Sequence, residues 1–345
     1  MKAWVLHGAN DLRLEQRPLP ALADAEALVR VKAAGVCGSD IPRIFETGAH
    51  TLPVVPGHEF AGVVADAGRA CSDRIGKRVG VFPLIPCMRC DSCARGRYET
   101  CSTYDYIGSR RDGAFAEYVA VPAWNLIELP DTMPFDAAAL LEPAAVALHA
   151  LRAAGAENAE SVAIFGAGPV GLFAAGWARI SGAKKVFLVG TRAEQAEKAR
   201  LLGFSDFLDI NERDAAERIR ALTGGAGADL CADAAGDPRA VSDCIRAARP
   251  GGLVVLIGNP RADMRIGKDT YQKILRKQLR VCGSWNSRFN REAENDWTET
   301  LAAFDGGALR PETLISHRFP LADLARAAER MRARKEYFCK VLICG

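Results

Sequence analysis

The stretch FPLIPCMRCDSCARGRYETC, residues 82–101, constrains this chain more than any other. Cysteines at 87, 90, 93 and 101 follow C-x2-C-x2-C-x7-C inside a loop rich in Pro, Arg and Gly. Such a loop cannot bury a core of its own, and four thiolates this close in sequence suit one tetrahedral Zn2+. Two disulfides and an iron–sulfur cluster are the competing readings. Disulfide frameworks belong to small secreted chains, and nothing else here has the character of an electron-transfer protein. A closed shell of four sulfurs leaves no coordination position for a substrate, so Cys87, Cys90, Cys93 and Cys101 would hold a structural ion. The chemistry must lie elsewhere.

At 345 residues the chain exceeds one ordinary core and points to two domains. A net charge of +3, spread along the chain without a long Lys/Arg block, speaks against nucleic acid or an anionic membrane as partner. No apolar run approaches a membrane span, and MKAWVLHGAND lacks the regions of a signal peptide, so a cytoplasmic location is expected. The cysteines outside the loop (37, 71, 231, 244, 282, 339 and 344) show no pairing pattern, as reduced thiols would.

From Met1 to Val36 apolar and polar residues roughly alternate between Pro- and Gly-marked turns, the signature of short β-strands. Cys37 ends the third of these, His58 and Glu59 stand at a Gly turn before another apolar strand, and Glu142 lies in the apolar segment LLEPAAVALHA. An unpaired carboxylate is costly to bury there. One Cys, one His and one Glu at the edges of apolar elements would make a three-ligand zinc site with an open fourth position, although each residue alone reads equally as structural. Arg110 and Arg111 flank Gly turns and, with Arg43, are candidates to grip a phosphate monoester; solvated surface or salt bridges are the plainer reading.

After Glu142 the texture changes to longer strands and Ala-rich helices. SVAIFGAGPVGLFAAGWARISG reads as strand, Gly turn and helix, with Gly166, Gly168 and Gly171 in G-x-G-x-x-G and Pro169 and Val170 between them. Further strand–helix units follow at KKVFLVG, ADLCADAAG and GGLVVLIG, which predicts a doubly wound parallel sheet with a pyrophosphate at the first helix N-terminus. At the end of the second strand Gly190, Thr191 and Arg192 stand where an acidic residue would bind the adenine ribose. Gly makes room for a 2′-phosphate and Arg pairs with it, so NADP is favoured over NAD; a surface-exposed Arg192 and weak discrimination is the alternative.

The order and spacing of CGSD, GHEF, the four-cysteine loop, an EP dipeptide and G-x-G-x-x-G resemble the zinc-containing medium-chain dehydrogenases over essentially the whole chain. CGSDIPRIFETGAH, YDYIGSRRDGAFAEY and KILRKQLRVCGSW are similar to the sorbitol-like polyol branch, most closely the galactitol-1-phosphate 5-dehydrogenases. The resemblance implies an α/β protein: a GroES-like β-rich catalytic domain at 1–147 and 285–345 and a Rossmann domain at 148–284, with the active site in the cleft between them. It implies Cys37, His58 and Glu142 as ligands of a catalytic zinc, Glu59 as a fourth ligand or a carboxylate that exchanges with water, and hence two Zn2+ per chain. Ser39 would take the substrate proton, unless it only caps a helix starting near Ile41. Pro42 stands where many relatives carry a proton-relaying His, which leaves the exit route open. Lys340 matches a position that touches the pyrophosphate, and Trp285 would wall the substrate pocket or sit in the core. The implied reaction is reversible oxidation of a secondary alcohol on a small polyol or polyol phosphate with NAD(P), in a homodimer or homotetramer. A threonine or simple secondary-alcohol dehydrogenase, or an inactive nucleotide-binding sensor or structural protein, are the rival readings.

Overall fold

The computed structural model describes residues 1–260, 262–291 and 295–345. The chain forms two compact units: residues 1–142, 288–307 and 314–345 make the first, and 143–287 with 308–313 the second. The divisions thus fall at 142/143 and 287/288 instead of the expected 147/148 and 284/285, and 308–313 returns to the second unit. There, Leu309 packs against Gly176 and Arg310 donates to the Leu201 carbonyl, so local packing draws the crossover back.

In the first unit the 11-residue strand Glu26–Val36 is central, because its run of small and β-branched residues can be covered from both faces. It pairs antiparallel with Glu59–Ala67, Tyr118–Pro122 and Lys340–Cys344. The C-terminal strand therefore lies beside the N-terminal ones, and Lys340, Gly35 and Glu59 meet across three neighbouring strands. Val29, Val31, Phe60, Val64, Phe115 and Val341 fill the core beneath. A second apolar group of Phe82, Trp124, Phe289 and Trp297, with rings 5.0–6.5 Å apart, backs the cysteine loop.

The second unit is a six-stranded parallel sheet. In chain order its strands are Ser161–Phe165, Lys185–Gly190, Phe207–Asp209, Ala228–Asp233, Ala248–Leu256 and Arg280–Gly283, and their spatial order is 3-2-1-4-5-6, the Rossmann arrangement. Helices Pro169–Ile180, Ala193–Leu201, Ala215–Leu222, Pro238–Ala247 and Lys268–Arg276 connect them. The helical run Phe135–Ala154 has the length and composition to cross a bilayer, contrary to the expectation from sequence, but 78% of its apolar stretch is buried inside the fold. A core helix passes the same test.

Candidate metal centres and dinucleotide site

Tight local turns set the cysteine loop. Cys90 precedes the single helical turn Asp91–Ala94, and Met88 takes a left-handed φ of 58°. The Sγ atoms of Cys87, Cys90, Cys93 and Cys101 all lie within 4.8 Å of one another, with separations of 3.5, 3.9 and 4.0 Å among them. A disulfide needs about 2.05 Å. Four thiolates about 2.3 Å from one tetrahedral ion would be about 3.8 Å apart. The loop is shaped for a single metal ion, and a cluster would hold its cysteines further apart. A hydrogen bond with Thr103 and backbone N–H groups bring the Cys87 thiol down to about 5, and the Cys93 N–H brings Cys90 to about 7, while burial pushes the Cys93 thiol up to about 12. Thiolate is the form a soft cation needs.

The second cluster is built by strand ends. Cys37 leaves Glu26–Val36, and His58 enters Glu59–Ala67 opposite it. Atoms of Cys37, His58 and Glu59 lie within 4.8 Å of one another. Glu142, in the first turn of helix Leu141–Ala154, is buried beside them but outside that set. Burial pushes its carboxyl up to about 7, against the opposing pull of His58 and Lys340. Asp40 is fully buried, accepts from the Cys37 N–H at 2.9 Å and from Arg43 at 3.2 Å, and stands 3.6 Å from His58 Nδ1. That last distance is too long for a hydrogen bond, so His58 Nδ1 is buried with no hydrogen-bond partner among the described residues. Burial opposes charge on His58, yet Asp40 and Cys37 raise its pKa well above the ordinary imidazole value. A sulfur, nitrogen and oxygen donor set in so anionic a pocket fits Zn2+.

Ser39 occupies the N-cap of the short turn Asp40–Pro42, but its hydroxyl makes no capping hydrogen bond. The expected helix near Ile41 is this single turn, continued as a π-type turn over Arg43–Thr47. Lys340 is not a solvated strand end: only 3% exposed, it pairs with Glu59 Oε2 at 2.5 Å. The candidate arginines part company. Arg111 pairs with Glu26 at 3.2 Å and Asp105 at 3.5 Å, Arg110 stacks 4.6 Å over the Tyr104 ring, and Arg43 is held by Asp40. Trp285 is 51% exposed and belongs to the second unit, so it is not a core residue.

Tyr106 escaped the sequence reading. Its ring lies 5.8 Å from that of His58, and burial together with Glu142 and Cys37 raises its phenol well above 10. It reaches this place because Gly108 and Gly113 lie against Gly57: a Cβ on either would stand 2.5 or 2.2 Å from the Gly57 oxygen. Only the glycines around SRRD, read against the one before His58, could have signalled the contact.

In the second unit, Gly166 has φ of 114°, and a Cβ on Gly171 would stand 1.8 Å from the Gly166 oxygen. Gly168, the N-cap of Pro169–Ile180, has nothing within 4 Å of its Cβ position, which leaves open approach to the first backbone N–H groups. Pro169 opens the helix, with Val170 behind it. At Gly190 a Cβ would meet Gln195 Oε1 and Phe207 at 2.6 Å, so packing disfavours any larger side chain there. Gln195 Oε1 accepts from the Thr191 N–H at 2.9 Å, and Arg192 caps Ala193–Leu201.

Residues 23–131 match the alcohol dehydrogenase GroES-like domain family and residues 169–305 the zinc-binding dehydrogenase family. Galactitol 1-phosphate 5-dehydrogenase of Escherichia coli (strain K12) is 35% identical over 99% of both chains. The chain belongs to the zinc-containing medium-chain dehydrogenases. Among solved structures of zinc-binding and alcohol dehydrogenases, one from Sinorhizobium meliloti 1021 bound to NADP superposes with a TM-score of 0.92, at 31% identity over 100% of this chain and 99% of that one. An alcohol dehydrogenase from Escherichia coli CFT073 complexed with NADH gives 0.90, at 29% identity over 100% and 99%. The chain is thus a zinc-dependent alcohol or polyol dehydrogenase of the medium-chain type.

Proposed function

We propose that the chain reversibly oxidises a secondary alcohol of a polyol or polyol phosphate to a ketone, using two Zn2+ per chain and NAD(P), with NADP favoured. The observation that carries this reading is the convergence of Cys37, His58 and Glu59 within 4.8 Å. Buried Glu142 beside them is the third protein ligand, with Glu59 a fourth ligand or a nearby carboxylate that exchanges with water. Bound zinc and a bound dinucleotide supply Lewis acidity at the alcohol oxygen and a hydride acceptor.

The chain's own residues do the rest. Asp40 holds the Cys37 backbone by a hydrogen bond and places its negative charge 3.6 Å from the His58 ring. Lys340 holds the Glu59 carboxylate in place. The Ser39 hydroxyl, free of any capping bond, takes the proton from the alcohol oxygen and passes it on to water, since Pro42 can neither accept nor donate one. Tyr106, whose phenol burial holds in its protonated form, can donate to or accept from a substrate hydroxyl. Gly168 and the first turn of Pro169–Ile180 receive the pyrophosphate, and Arg192 meets the 2′-phosphate. Assembly as a homodimer or homotetramer completes the reading.

The test is a steady-state comparison with NAD and NADP against galactitol 1-phosphate, galactitol, sorbitol, L-threonine and 2-butanol, with metal analysis of the same preparation. Turnover of a polyol or its phosphate at least tenfold above the other alcohols, about 1.4 kcal/mol in the transition state, is expected. Preference for L-threonine or 2-butanol overturns the substrate assignment. Cys37→Ser should abolish turnover and leave about one zinc per chain.

A further inference from the structure

Two guanidinium groups and an imidazole belong to the segments around the Cys37 cluster in the first unit. Arg43 opens the π-type turn and is held at 3.2 Å by Asp40, the same carboxylate that accepts from the Cys37 N–H. Arg110 is reached through a row of rings: His58 to Tyr106 at 5.8 Å, Tyr106 to Tyr104 at 6.2 Å, and Tyr104 to the Arg110 guanidinium at 4.6 Å. Arg110 Nε is buried without a hydrogen-bond partner among the described residues. The third group is His50. The Thr51 N–H donates to the Ser109 oxygen at 3.2 Å and so straps the His50 segment to that of Arg110. Partial desolvation and the charges of Arg110 and Arg43 hold the imidazole of the exposed His50 below its ordinary value.

A guanidinium with an unpartnered buried Nε, as on Arg110, is served best by an anion that accepts from it. Arg111, one residue from Arg110, is already neutralised by Glu26 and Asp105, whereas Asp40 is the carboxylate paired with this group, through Arg43. We propose that Arg43, His50 and Arg110 form an anion subsite for the phosphate monoester end of the substrate, with His50 and Arg110 the residues that select it. This rests on the polyol dehydrogenase reading above. Two guanidinium groups and an imidazole can donate to several oxygens of a monoester while Tyr104 keeps Arg110 flat and in place. Arg43 ties that end of the substrate to the metal donors through Asp40, so the phosphate would set which carbon presents its hydroxyl.

The test uses the zinc-loaded full-length protein with His50→Gln and Arg110→Gln, and Arg111→Gln as control. Each of the first two should lower kcat/KM for galactitol 1-phosphate tenfold or more, leaving galactitol and the KM for NAD and NADP unchanged. The Arg111 variant should leave all of them near wild type. Equal losses on the phosphorylated and free polyol, a loss reproduced by Arg111→Gln, or a raised KM for NADP in place of the substrate effect would each overturn the subsite. Inorganic phosphate separates this from the function itself. It should raise the thermal midpoint of the wild type and of Arg111→Gln but not of the other two. If no polyol is turned over, the functional reading fails, and this phosphate shift still decides the subsite: its absence in the wild type overturns it.

Discussion

Lys340 Nζ and Glu59 Oε2 lie 2.5 Å apart across 281 residues of sequence, with both side chains almost wholly buried. The strand between them passes at Gly35, where a Cβ would stand 2.1 Å from that same carboxylate oxygen. Gly35 vacates the space, Glu59 fills it, and Lys340 neutralises it.

Removing one partner of such a pair strands the other. Lys340→Met should destabilise the first unit by about 3–5 kcal/mol, measured by thermal or urea unfolding. The double variant with Glu59→Gln should lose much less than the sum of the two single losses. Additive losses would mean that the pair carries no coupling.

The glycine turn of the second unit separates folding from binding. Gly171→Ala drives a methyl to 1.8 Å from the Gly166 oxygen, so it should lower the thermal midpoint as well as dinucleotide affinity. Gly168→Ala meets nothing within 4 Å and should leave the midpoint near wild type while weakening NADP binding, read by fluorescence titration.

Cofactor choice divides between neighbours in the same way. Arg192→Glu should shift the ratio of kcat/KM for NADP over NAD toward NAD by tenfold or more, about 1.4 kcal/mol. Gly190→Asp should also unfold at lower temperature, because Gln195 and Phe207 occupy the space its Cβ needs. A Gly190 variant of wild-type stability would contradict that packing.

Zinc in the cysteine loop should act on stability before activity. Cys93→Ser is expected to lose one metal per chain and unfold at lower temperature, since binding free energy at such a site is folding free energy. A chelator that strips the wild type should move its midpoint in the same direction. An unchanged midpoint after loss of that metal would remove the structural role.

Asp214 supplies a pH test in the second unit. It caps Ala215–Leu222 by accepting from the Glu217 N–H at 2.9 Å and pairs with Arg246 at 2.7 Å. Burial would raise its carboxyl, but these partners outweigh burial and hold it below the ordinary value. Its folded pKa is therefore the lower one, and the stability it lends is present above the unfolded value of about 3.9 and is lost as pH falls through the folded value. Asp214→Ala should cost about 1 kcal/mol at neutral pH, and the gap from wild type should narrow in acid. A gap that stays constant with pH would remove the carboxylate from the account.

What the sequence by itself determined is local. The cysteine loop and G-x-G-x-x-G declare themselves because ligand spacing and turn geometry act over a few residues, and the strand–helix alternation after Glu142 specifies the parallel sheet for the same reason. Motif resemblance carried the rest of the outline, including residues as distant as Cys37 and Glu142. Tertiary structure alone decided which carboxylate stands nearest. Sheet register put Glu59 into the set with Cys37 and His58 and gave it Lys340 as partner, while Glu142 stayed outside. It also parted Arg110 from Arg111, adjacent in sequence, sending one onto the Tyr104 ring and the other to Glu26. Neither outcome is readable from spacing, because each depends on close backbone approach at glycines (Gly35 under Glu59, Gly57 under Gly108) between segments brought together only when the sheet closes.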